Sequence, residues 1–315
     1  MDNRIDYIDI SKAIGIILMI MGHIGFGDVF DYFIHSFHMP LFFFLTGYLY
    51  TKKNNFLKYV LKKVKSLLVP YYLFSIVFFI IKTVIYDFSI GDLVTIFFLP
   101  TNNIPIAGAL WFLMSLFFSD LIYYAINHHF NDNTVVIISL FVGVVGQVLS
   151  KRNDLTIPFG LAQAMVGVGI IQIGRLLRKR EKIILDLNPL YVVVVLIVSS
   201  ILSRYSGYVN MRTNEYPSIL GFWIVSTLYI ICVLYISNLV NKTKTLKKYF
   251  LQIGNYSIVY VVFNQFIIMM LKNIRNYYGI PKNIYRFVAL PIVIITIYIF
   301  NELTKNTKFK HLIGK

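Results

Sequence analysis

Three side chains able to do chemistry share the first apolar stretch of this sequence: Asp9, Lys12 and His23, within DYIDISKAIGIILMIMGHI (6–24). On a helix Asp9 and Lys12 are i,i+3 neighbours and can pair, so Asp9 is read as the residue that orients Lys12. Lys12 and His23 are eleven positions apart, three turns plus about 20°, which puts them on one stripe roughly 16 Å apart along the axis. That stripe carries a cation near one end and an imidazole near the other. Imidazole is the side chain whose ordinary pKa suits proton transfer near neutrality. His23 is therefore a candidate base, or a nucleophile that holds a group in transit. The competing reading is interfacial, with Lys12 snorkelling and His23 seated among head groups.

A second set follows in DYFIHSFHMPLFFFLTGY (31–48). Asp31 is expected to cap a helix on which His35 and His38, i,i+3, face one side. The short connection should bring this turn near His23. Three imidazoles at one boundary suggest a metal, but metal sites usually recruit a carboxylate or Cys as well, and none is evident here. The expectation is an acid–base site without metal, in which His38 joins His23 and Asp9, while His35 contacts substrate or is merely interfacial. Other polar or aromatic candidates are weaker. Tyr48 and Trp111 line a cavity or pack in the core; Asn264 and Gln265 bond substrate or join helices. Asn210, Arg212 and Glu215 in YSGYVNMRTNEYP (205–217) read a ligand or are simply solvated.

The elements that must position these residues are membrane helices. Of 315 residues 57% are apolar and 14% charged, with 27 Phe and 23 Tyr. Soluble domains carry about 25% charged residues. The single cysteine, Cys232, excludes a disulfide scaffold and sits in an apolar run as a packing residue. At roughly 30 residues per span and loop, the chain holds about ten spans. They are expected at 8–24, 32–50, 67–86, 107–126, 134–149, 158–177, 189–203, 217–238, 256–272 and 284–301. This predicts an all-α polytopic membrane protein forming one domain over 1–315, without internal repeat. The N-terminus MDNRIDYIDISK is too acidic for a signal peptide, so the first helix is expected to be kept. The net charge of +16 does not point to nucleic acid, because the basic residues lie in short loops between apolar runs. On the side holding both termini fall 21 of the 30 Lys and Arg, which predicts cytoplasmic termini and attraction to anionic membrane lipid.

Several segments resemble the acyltransferase-3 family of integral membrane acyltransferases, and within it the sugar O-acetyltransferase branch that includes the fucose 4-O-acetylase type. RIDYIDISKAIGIILMIMGHIG (4–25) resembles that family's first helix, with Lys12 where many members have Arg. FHMPLFFFLTGYLY (37–50) resembles its second helix, with Thr46 where Ser is more usual. KKVKSLLVPYY (62–72) is similar to a basic stretch in which Lys62 and Lys65 stand for paired Arg. GALWFLMSLF (108–117) resembles its Leu-Trp-Phe-Leu helix, and LQIGNYSIVYVVFNQFI (251–267) its penultimate helix, with Asn264 where His is common. The resemblance implies a ten-helix acyltransferase, acetyl-CoA or another acyl-CoA as cytoplasmic co-substrate, and a glycan acceptor, free or lipid-linked. It implies a catalytic His23 and, at the cytoplasmic side, Lys12, Lys62 and Lys65 where the CoA phosphates arrive; for the latter two, topology alone is an alternative explanation. His35, Tyr48, Trp111, Asn210, Arg212 and Asn264 are the substrate-side candidates. The expected location is a cell membrane, that of a bacterial plasma membrane, and a homo-oligomer is compatible with the sequence. Two other classes stay open on the residues alone: a polyprenyl-linked glycan transporter or flippase, and a non-enzymatic partner of a polysaccharide assembly complex.

Overall fold

The computed structural model describes residues 5–52, 55–85, 87–104, 106–150 and 157–307. In order the helices are α1 Asp6–Ile24, α2 Asp28–Tyr48, α3 Phe56–Lys63, α4 Val69–Ile85, α5 Ile90–Phe97, α6 Trp111–His129 and α7 Asp132–Ser150. There follow α8 Leu161–Arg178, α9 Glu181–Leu185, α10 Pro189–Ser206, α11 Ile219–Asn241, α12 Lys244–Asn255, α13 Ser257–Tyr278 and α14 Lys282–Thr304. A π-turn at Val64–Leu68 joins α3 to α4. Among the described residues there is no strand, only an isolated antiparallel bridge between Asn210 and Glu215.

Nine stretches among the described residues are long and apolar enough to cross a bilayer, and each overlaps one of the ten expected spans. The remaining expected span is α2, which has 21 residues but carries Asp28, Asp31, His35 and His38 in its first half. Large apolar side chains stand exposed along α10 (Leu190, Val193, Ile197) and α14 (Ile292, Ile295, Ile299). Rows of this kind are what a lipid-facing helix presents. The chain is a multi-pass, all-helical membrane protein.

Two compact units emerge. The first gathers described residues of 5–50, 170–211 and 215–260. Its centre is α1, which packs against α2, α11 and α12 and buries Ile10, Ala13, Ile16 and Ile20 completely. α2 and the C-terminal part of α8 cross closely: Gly47 faces the backbone carbonyl of Ile171 and Gly174 that of Phe44, so a Cβ at either position overlaps backbone. Small residues at a crossing let two membrane helices gain dispersion contacts along their whole length. The second unit gathers described residues of 51–169, 212–214 and 261–307. There Lys63 pairs with the fully buried Asp120, which also accepts from the Tyr59 hydroxyl at 3.0 Å. Ser119 donates to the Ala164 carbonyl at 2.8 Å, joining α6 to α8.

Four short or amphipathic helices lie where connections were expected: α3, α5, α9 and α12. Asp31 is not the cap of α2, which begins at Asp28 behind Gly27. The apolar pattern starts before residue 31, with Val29 and Phe30, and shortens the turn after α1.

Candidate active site

α1 positions the first candidates. Near its start Lys12 donates to Asp9 Oδ1 at 2.8 Å, the carboxylate being buried and the ammonium half-buried. A second ion pair, Lys247 to Asp6 at 2.6 Å, ties α12 to the first turn of α1. Next to it Gly254 of α12 rests on the backbone of Asp9. The buried charge is thus held at one end of a helix clamped on its neighbours. Partnering Asp9 offsets the cost of burying a carboxylate and fixes where the ammonium stands.

At the far end of α1, His23 is half-buried and lies within electrostatic reach of His38. The rings of His35 and His38 meet edge-on, centroids 5.1 Å apart at 83°. His35 also lies against α1 at Gly22, one residue before His23. His38 Nδ1 is 2.8 Å from the Ile34 carbonyl and His35 Nδ1 is 2.9 Å from the Asp31 carbonyl. A carbonyl oxygen only accepts, so in each ring Nδ1 carries the proton and the basic lone pair is left on Nε2. The structure thus gathers His23, His35 and His38 in one unit, as the expected short connection between α1 and α2 requires. Among the described residues no group of three His, Cys, Asp or Glu side chains takes metal-holding geometry.

Over residues 5–302 the sequence matches the family described as "Acyltransferase domain", acyltransferase family 3. The chain belongs to that family. No curated protein and no solved structure gives a significant match. The chain is therefore a membrane acyltransferase, which sets it apart from the transporter and non-enzymatic readings.

The other candidates of this acyltransferase fall elsewhere. Tyr48 is in the same unit, at the last residue of α2, while His38 stands at the helix midpoint. Its hydroxyl lies 3.3 Å from that of Tyr7, and the Arg178 guanidinium stands 5.0 Å over its ring. Arg178 also donates to Tyr7 at 3.0 Å and to Glu181 at 2.6 Å, and Tyr7 bonds Glu181. This network joins α1, α2, α8 and α9. Asn210 exchanges both backbone bonds with Glu215, at 3.0 and 2.9 Å. Lys62, Lys65, Trp111, Arg212 and Asn264 belong to the second unit. Lys62 and Lys65 are exposed on α3 and the π-turn. Trp111 is buried at the start of α6 against Phe112. Arg212 donates to Asn103 Oδ1 at 2.9 Å, while its carbonyl accepts from Gln163 at 2.7 Å. Asn264 is fully buried and donates to the Val261 carbonyl at 2.9 Å.

Two features escaped sequence reasoning. Glu181 is the one acid in the basic run RLLRKREK, and that oddity was the available signal for its network. Tyr208 touches His35 with ring centroids 5.1 Å apart and Tyr32 with centroids 5.6 Å apart. Nothing in its sequence context separates it from the other tyrosines.

Proposed function

We propose that this enzyme moves an acetyl group from cytoplasmic acetyl-CoA to a hydroxyl of a cell-surface or lipid-linked glycan, in the manner of the sugar O-acetyltransferase branch, at a bacterial plasma membrane. The observation that carries the reading is α1 itself: a partnered ammonium at one end and His23, beside two further imidazoles, at the other. Lys12 answers to the phosphates of the donor, and the long thin donor lies along the helix with its thioester at His23. His23 takes the hydroxyl proton as the oxygen attacks the thioester carbonyl, or receives the acyl group first and passes it on. In either route the hydroxyl proton ends on the departing thiol. Nε2 of His38 is the neighbouring lone pair that relays it, with Asp9 acting through Lys12 as a positioning residue.

The test is the mass of the surface glycan from cells with and without this protein. A gain of about 42 Da per modified sugar, the C2H2O of one acetyl group, is expected only when the protein is present and His23 intact. An unchanged glycan mass removes the proposal.

A further inference from the structure

A cavity of about 580 Å³ opens in the first unit where the α1–α2 turn, α10 and α11 meet. Its walls are aromatic, with Phe26, Phe30, Phe33 and Tyr229 in the lining. Tyr229 is held in place by its bond to Ser200 Oγ at 3.1 Å and by the edge of Phe33, centroids 5.0 Å apart. Two charged side chains enter the lining, Asp28 at the start of α2 and Arg204 in the last turn of α10. The Arg204 guanidinium lies 5.5 Å over the Tyr32 ring. No ion pair is found for Asp28 or Arg204 among the described residues.

A volume of several hundred Å³, mostly apolar walls and a few placed polar groups describe a small-molecule site. The charges decide the class of molecule. A phosphate or carboxylate drawn to Arg204 meets Asp28 in the same lining, which repels it. An alkyl chain makes no use of either charge, both of which stand exposed at the cleft. A neutral polyol satisfies both, since its hydroxyls donate to Asp28 and accept from the five guanidinium donors of Arg204. Its C–H faces suit the negative faces of the aromatic rings. None of the three histidines lines the cavity, but a row of ring contacts leads from it to them. Tyr32 lines it, Tyr208 touches both Tyr32 and His35, and His35 is in contact with His38.

We infer that this cleft is the acceptor subsite and that it takes a neutral sugar residue, with Arg204, Asp28 and Tyr32 reading it and Tyr208 forming the partition toward the imidazoles. The inference rests on the acyl-transfer reading above, but its test does not depend on turnover. The whole protein in lipid nanodiscs, without acetyl-CoA, is examined by saturation-transfer NMR. The probes are methyl glycosides of glucose, galactose, mannose, rhamnose, fucose and N-acetylglucosamine, with methyl glucuronide and galacturonide as acidic counterparts. At least one neutral glycoside binds and its uronide counterpart binds more weakly. Arg204→Ala and Tyr32→Ala weaken that binding by about tenfold, the worth of a charge-assisted contact, while Tyr32→Phe, which keeps the ring, restores most of it. Arg204 is exposed, so its variant is not expected to disturb folding. The inference is overturned if no neutral glycoside binds, if a uronide binds best, or if Arg204→Ala and Tyr32→Ala bind as the parent does. Neutral glycoside binding lost in these variants, in a protein that transfers no acetyl group, upholds the cleft and removes only the acyl-transfer reading. Acetyl transfer to a glycan with an acceptor KM unmoved by Arg204→Ala removes the cleft alone.

Discussion

In α2 the Asp31 and Ile34 carbonyls decide where two imidazoles keep their protons, and that choice leaves each ring one basic nitrogen turned away from its own helix. The chemistry proposed at His23 then has, within electrostatic reach, a neighbour with a free basic nitrogen. His23→Ala is expected to lower acetyl transfer by about 10²-fold or more, the range usual for a lost general base, while acetyl-CoA binding survives; a radiolabel transfer assay and equilibrium donor binding check the two halves. Lys12→Ala is expected to do the reverse in binding, weakening acetyl-CoA by roughly tenfold through loss of one charge-assisted contact. Donor binding unchanged in Lys12→Ala would detach Lys12 from the phosphates. Much of this site was legible in the sequence, because charge and imidazole inside an apolar helix are rare and helical spacing fixes which of them meet. Asp9 with Lys12, and His35 with His38, were read from i,i+3 spacing alone. Tyr208 and Arg204 were not, because their neighbours come from segments more than 170 positions away, and periodicity along one helix carries no information about that pairing.

At the scale of elements, what matters is how closely helices approach and which buried charges they share. The Gly47–Gly174 crossing leaves no room for a side chain. Gly47→Ala is expected to cost about 1–3 kcal/mol through overpacking, seen as a lower Tm of the detergent-solubilised protein, and a Tm equal to the parent's would show that α2 and α8 are free to separate. In the second unit, Asp120 is fully buried and answered by Lys63 and Tyr59. Lys63→Met strands that carboxylate and is expected to destabilise by about 3 kcal/mol. Adding Asp120→Asn should recover most of the loss, and a double-mutant cycle in Tm checks it. The long apolar elements were visible as runs of hydropathy. α12 was not, since Lys242, Lys244, Lys247 and Lys248 mark 239–255 as a charged connection between the expected spans. The last three of those lysines occupy an amphipathic helix whose Ile253 and Gly254 turn inward while Lys247 reaches Asp6. Topology rules count such charges correctly yet say nothing of the fold they adopt.

For the whole molecule the count of crossings carries the consequence. The nine apolar stretches among the described residues alone would put the two termini on opposite sides of the membrane; adding α2 as a tenth puts them on the same side. Lys and Arg placement favours the even count, since the connections on the side of the termini hold 21 of the 30 basic residues. The even count needs α2 to cross, and within its first half Ser36 and His38 are buried in the protein, Asp31 and His35 are half-buried, and the exposed Asp28 stands at its start. The prediction is that both termini are cytoplasmic. A green fluorescent protein fused after residue 315 should fluoresce, and a fused alkaline phosphatase should be inactive. In a Cys232→Ser background, which removes the buried native thiol, Tyr205→Cys should be labelled by a membrane-impermeant maleimide in intact cells. Tyr205 is 87% exposed next to the acceptor cleft. Lys179→Cys, in the basic connection after α8, should label only after lysis. Three crossings, α11, α13 and α14, follow Tyr205, so α2 is decided by the other end: an N-terminus on the opposite side from the C-terminus would mean that α2 enters and leaves on one face. Five crossings would then separate the α1–α2 turn from the end of α10 and set on opposite faces of the membrane two segments that line one cleft.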